Sequence, residues 1–80
     1  MHLEHLIKMA NQIGGFFEAM PDREEAMAGV MQHLRNYWDP RMRRQLLAHV
    51  VADGAGLSAF TLESLRTHHV ALAPAVAGDA

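Results

Sequence analysis

The chain reads as all-α: a small orthogonal bundle of three main helices, followed by a short fourth helix and a flexible C-terminal tail. Two observations predict this. Apolar residues recur at steps of three and four along successive stretches, and the helix-start signals Pro21-Asp22, Asp39-Pro40 and Ser58 fall between them. No stretch of useful length alternates polar and apolar residues as a strand would. The organisation expected is one domain over 1–69, with helices at about 2–20, 22–38, 39–53 and 58–69, and a tail at 70–80.

In the first helix Leu3, Leu6, Ile7, Ala10, Ile13, Phe17 and Met20 form an apolar stripe, with Glu4, His5, Lys8 and Gln12 opposite. Gly14 lies on that stripe, where a missing side chain lets another helix come close. Pro21 ends the helix. Asp22, with Glu25 three residues later, starts the second as a capping box. Ala26, Met27, Val30, Met31, Leu34, Tyr37 and Trp38 share one sector of this helix.

Asp39 and Pro40 begin the third helix as N-cap and first helical residue. It carries Met42, Leu46, Leu47 and Val50 before Asp53-Gly54 stops it. With almost no link between the second and third helices, Tyr37 and Trp38 stand at a tight corner. Ser58 caps a fourth helix expected to bury mainly Leu62 and Leu65, with Leu57 stapled onto Leu62. Beyond His69, VALAPAVAGDA has almost no polar pattern and reads as a frayed or partner-ordered tail.

Length and composition narrow the function. Eighty residues, half of them apolar and a fifth charged, make one folded domain whose stability is on the order of 3 to 5 kcal/mol. The net charge of −2 draws the chain neither to nucleic acid nor to an anionic membrane. Cysteine is absent, so disulfides, thiolate nucleophiles and cysteine-ligated clusters are excluded. The N-terminus lacks an unbroken apolar stretch and VALAPAVA is too short to span a bilayer, which makes a cytoplasmic location the default expectation.

The most informative stretch is YWDPRMRRQ at 37–45. Arg41, Arg43 and Arg44 occupy the first turn of a helix, where the positive end of the macrodipole disfavours cations. Arg43 falls inside the apolar sector, at the position that would staple onto Trp38, and could stack on the indole. Two readings remain open for this cluster. Either Arg43 snorkels to water while Arg41 and Arg44 are solvated and loosely paired with Glu24, Glu25 or Asp53, or the cluster meets an acidic patch on a partner protein, with a cofactor phosphate a less favoured target.

Other chemistry has little support. His2 and His5 lie near each other and His68 and His69 are adjacent, but no H-E-x-x-H or comparable ligand spacing occurs. His33 and His49 flank apolar stripes, as half-buried imidazoles bonded to backbone do. No nucleophile elbow or phosphate loop is present, so no catalytic, cofactor-binding or metal-binding residue is assigned. Methionines on apolar faces are read as core. Phe16, Phe17, Tyr37, Trp38 and Phe60 nevertheless offer more apolar surface than so small a bundle encloses, so part of it should face a partner.

The order MANQIGGFF at 9–17, HLRNYWDPRMRRQLLAH at 33–49 and GAGL at 54–57 resembles the delta subunit of cytoplasmic NAD-dependent, molybdenum-containing formate dehydrogenase, over roughly residues 6–66. The resemblance implies a non-catalytic accessory subunit that binds no cofactor itself. Its partners would be the alpha subunit, which holds bis-molybdopterin guanine dinucleotide and oxidises formate, and other subunits carrying iron–sulfur clusters, FMN and NAD. Stabilising the alpha subunit or assisting cofactor insertion is the role implied. Asn11, Gln12, Trp38, Pro40, Arg41, Met42 and Arg43 match the family pattern and are expected at the interface or its corner. Arg44 joins them as part of the charge cluster.

Asn11 and Gln12 sit on the polar side of the first helix, where an isolated monomer gives them no evident task. Two alternatives are weighed against a permanent subunit. One is a transient assembly chaperone of the alpha subunit. The second is a helix-turn-helix DNA-binding protein, disfavoured by the short turn and negative charge. In isolation, the chain's spare apolar surface could support a homodimer.

Overall fold

A computed structural model describes residues 2–72, with side chains through residue 68. Four helices follow one another: α1 (Leu3–Glu18), α2 (Arg23–Tyr37), α3 (Pro40–Ala52) and α4 (Ala59–Leu72). Among the described residues there is no strand, and no helix is long and apolar enough to cross a membrane. Of the tail expected at 70–80, residues 70–72 continue α4 and the remainder lies outside the described residues.

Each start signal works through a local hydrogen bond. Asp22 Oδ1 accepts from the N–H groups of Glu24 (2.9 Å) and Glu25 (3.2 Å). Asp39 Oδ1 accepts from Met42 N–H at 2.9 Å, with Pro40 as the first helical residue. Ser58 accepts from Leu62 N–H through its carbonyl at 2.8 Å and lies with Oγ 3.4 Å from Thr61 N. These bonds satisfy N–H groups that the first turn of a helix leaves without partners. Asp39 also offsets the arginines that follow it, so Asp39→Ala should cost about 1 to 2 kcal/mol. A thermal melt checks this, since a loss of 1 kcal/mol lowers the midpoint by about 4 to 8 °C in a domain of this size.

The core draws on every helix: Leu6 and Ala10 from α1, Val30 and Leu34 from α2, Leu46 and Val50 from α3, and Phe60 and Leu65 from α4 are buried. Both α1 and α4 pack against all three other helices. The fourth helix is therefore more central than the expected short accessory element. It buries Phe60, Thr61, Ser64 and Leu65, while Leu62 is only half-buried.

The two buried hydroxyls of that centre, on Thr61 and Ser64, each have a hydrogen-bond partner. Ser58 Oγ donates to Thr61 Oγ1 (2.7 Å), and Ser64 Oγ donates to the Phe60 carbonyl (2.9 Å). Small side chains matter here because α1 and α4 meet closely at Gly14. A Cβ on Gly14 would overlap Thr61 Oγ1 and stand 3.1 Å from Thr61 Cβ. On the outside, Arg23 ties the start of α2 to α4 by an ion pair with Glu63 (2.6 Å) and lies over the Phe60 ring, 5.3 Å from its centroid. With both ends half-exposed, this bridge contributes at most about 1 kcal/mol.

After α3, the amides of Asp53 and Gly54 both donate to the His49 carbonyl (3.0 and 2.9 Å). Gly54 adopts φ +69° and Gly56 φ +88°, a region that L side chains enter only with strain. The resulting loop is held from three sides. Asp53 Oδ1 accepts from Ala55 N–H (2.9 Å), His49 Nε2 lies 2.7 Å from the Ala55 carbonyl, and Asn11 reaches across from α1.

Candidate protein interface

Asn11 overturns one expectation. Its Nδ2 donates to the Gly56 carbonyl (2.9 Å) and its Oδ1 accepts from Ser58 N–H (2.8 Å). The amide thus clamps the α3–α4 loop, satisfying a donor and an acceptor of a segment that has no ladder of its own. An isolated monomer therefore does give Asn11 a task. Gln12, one residue on, is exposed.

Tyr37 also departs from expectation. Periodicity assigns it to the apolar sector of α2, yet it is 75% exposed, whereas Trp38 is 5% exposed. The chain leaves the helix at Trp38, with φ −96° and ψ 137°, and the core takes the indole rather than the phenol. Trp38 thereby works in corner geometry and lines a surface feature. Pro40 shapes the same corner by its fixed φ.

That feature is a groove of about 610 Å³ between α1, α2 and the start of α3. α1 contributes Met9, Gln12, Ile13, Phe16 and Phe17 to its lining, α2 contributes His33 and Tyr37, and the corner contributes Trp38 and Met42. Its aromatic rings form a series across the two helices. Phe16 meets Phe17 edge-on at 5.1 Å, Phe17 lies 6.3 Å from the His33 ring, and His33 lies 4.8 Å from Tyr37. His33 therefore packs between rings, while His49 makes the backbone contact expected of both histidines.

Phe16 is 74% exposed. The methionines divide accordingly: Met27 and Met31 are core, whereas Met9 and Met42 line the groove. A concave, largely apolar surface with aromatic walls can bind an apolar segment without bringing charged groups out of water. Among the described residues no group of three or more His, Asp or Glu side chains gathers as metal ligands do.

Beside the groove lies the arginine corner. Asp39, Pro40, Arg41 and Arg44 line a second depression of about 550 Å³. Arg41 and Arg44 are exposed and, among the described residues, form no ion pair, so the pairing with Glu24, Glu25 or Asp53 is not made. Arg43 is half-buried, in keeping with its place in the apolar sector. The link from α2 to α3 is only Trp38 and Asp39, shorter than the three- to four-residue turn of a DNA-binding helix pair.

The model of the NADH-dependent formate dehydrogenase delta subunit family, FdsD, matches residues 5–65. The chain belongs to that family. Searches of curated proteins and of solved structures return no match. The FdsD match runs from the first turn of α1 to the middle of α4, so it takes in the whole groove, the arginine corner and the Asn11 clamp. As an FdsD protein the chain is a delta subunit of a formate dehydrogenase complex, and its surfaces can be read as those of one component among several. The FdsD groove carries two aromatic residues, Phe16 and Tyr37, about three-quarters exposed.

Proposed function

We propose that this delta subunit is a non-catalytic accessory component of a cytoplasmic NAD-dependent formate dehydrogenase, binding the molybdenum-containing alpha subunit through the α1–α2 groove. The observation that carries the proposal is the exposed aromatic pair Phe16 and Tyr37 on the rims of an apolar groove. Burying such side chains is worth roughly 1.5 to 3 kcal/mol each, and in the free chain that gain is unrealised. Docking would stabilise both partners by mass action. A large subunit held in shape in this way would also be competent to receive bis-molybdopterin guanine dinucleotide, a role that asks no cofactor ligand of this chain. The iron–sulfur clusters, FMN and NAD belong, on this reading, to the other subunits, in keeping with the absence of cysteine here.

The test compares complexes purified with the wild-type chain and with Phe16→Ser/Tyr37→Ser. Both positions are exposed, so the double variant should fold with stability within about 1 kcal/mol of wild type. It should be lost from the complex, and the alpha subunit prepared with it should contain less molybdenum and show lower formate-dependent NAD reduction. A variant retained in equal amount would refute the groove as the interface. A wild-type chain that raises molybdenum content yet is absent from the finished enzyme would instead identify a transient assembly chaperone.

A further inference from the structure

We infer that the groove and the arginine corner form one docking surface for a single amphipathic helix of the partner subunit. Its apolar side chains enter the groove and its carboxylates pair with Arg41 and Arg44. The inference rests on the proposed binding of the alpha subunit and specifies the chemistry of the segment bound.

Continuity comes from the α2–α3 corner. Trp38 and Met42 line the groove and Asp39, Pro40, Arg41 and Arg44 line the depression, so the two surfaces draw on one stretch of seven residues, 38–44. The depression carries a net positive charge. Asp39 Oδ1 is engaged by Met42 N–H as the helix cap, and the two exposed guanidiniums add to the positive end of the α3 dipole. Planar guanidinium forks match carboxylates in geometry as well as charge.

The chain as a whole has a charge of −2, so no long-range field draws an acidic partner to it. Complementarity must be local, at this corner, where it sets register more than bulk affinity. The form of the partner follows from the fold. Adding a strand requires an exposed sheet edge, and there is no strand among the described residues. A helix with apolar anchors three and four residues apart fits a groove between helices, and acidic residues at one end of its stripe would reach Arg41 and Arg44.

The surface also explains why arginines begin α3. At that position they work against the stability of the isolated chain, and exchanging them for acids would favour it. The two effects of Arg41→Glu/Arg44→Glu should therefore run in opposite directions. The thermal midpoint of the isolated variant should equal or exceed that of wild type, so loss of binding would not reflect loss of folding.

Calorimetric titration of the purified alpha subunit with the intact delta chain, at about 50 and 300 mM salt, provides the test. Hydrogen-exchange mapping of the alpha subunit in the same complex locates the bound segment. Wild-type affinity should fall with salt. The double variant should bind at least about tenfold more weakly at low salt and lose most of the salt dependence. The protected alpha segment should be helical, with carboxylates at one end of an apolar stripe.

Wild-type affinity in the double variant, or a protected segment without acidic residues, would overturn the inference while leaving the subunit reading in place. A wild-type homodimer that buries this groove and excludes the alpha subunit would also overturn it. Absence of any complex with the wild-type chain would overturn the subunit reading itself.

Discussion

Replacing Gly14 with Val should remove most of the stability of the domain. Glycine in a helix interior is ordinarily a weakness, and exchange for a residue with a Cβ recovers up to about 1 kcal/mol. At Gly14 the added Cβ would overlap Thr61 Oγ1, with Thr61 Cβ only 3.1 Å away. Thr61 has little freedom to yield. It is fully buried and β-branched, and its hydroxyl oxygen accepts from Ser58 Oγ. Relief requires separation of α1 from α4, the two helices that contact all the others.

Overpacking of this kind costs about 1 to 3 kcal/mol for Ala, and Val adds two methyl groups at the same contact. A loss of roughly 3 kcal/mol is expected against the 3 to 5 kcal/mol typical of so small a core. Urea denaturation followed by Trp38 fluorescence measures it, because the single tryptophan is buried. Gly15→Ala is the control: a Cβ there meets nothing within 4 Å, so the same chemical change one residue later should stabilise by about 0.5 to 1 kcal/mol. Thr61→Ala should restore part of the loss in a Gly14→Ala background, with a coupling energy that a double-mutant cycle reads directly. Equal effects at Gly14 and Gly15 would contradict the α1–α4 contact.

Asn11→Ala should produce the second largest effect, and it should appear in the isolated chain. The substitution removes two hydrogen bonds between α1 and the α3–α4 loop, each worth about 0.5 to 1.5 kcal/mol net, for a loss of roughly 2 kcal/mol. Faster amide exchange should be concentrated at Ser58 and the first turn of α4, where the Ser58 N–H loses its acceptor. Asn11→Asp keeps an acceptor but turns a second oxygen toward the Gly56 carbonyl that Nδ2 now serves. It should not restore wild-type stability. If Asn11→Ala left stability unchanged and weakened only the assembled enzyme, the residue would belong to the partner interface after all.

The contrast between Asn11 and Gln12 illustrates how far sequence reasoning reaches into the site. Both are polar residues on the outer side of α1 that match the family pattern, and periodicity treats them alike. Their roles separate because the loop at 54–58 returns beneath Asn11, some 45 positions along the chain. Arg41 and Arg44 were legible as anomalies, since their conflict with the helix dipole depends only on neighbouring residues. Tyr37 was not. Whether the phenol or the neighbouring indole enters the core depends on how the chain bends at Trp38.

The sequence by itself determined where the helices begin and which faces are apolar. Asp22, Asp39 and Ser58 act on N–H groups within four residues of themselves, and such local bonds require nothing from the rest of the molecule. It also determined that Gly14 marks a close helix contact. Tertiary structure decided that Thr61 makes that contact, that α4 is central, and that Phe16, Phe17, His33 and Tyr37 line up across two helices. Those pairings join residues distant in the chain, and hydrophobic periodicity specifies which face must be covered without specifying what covers it.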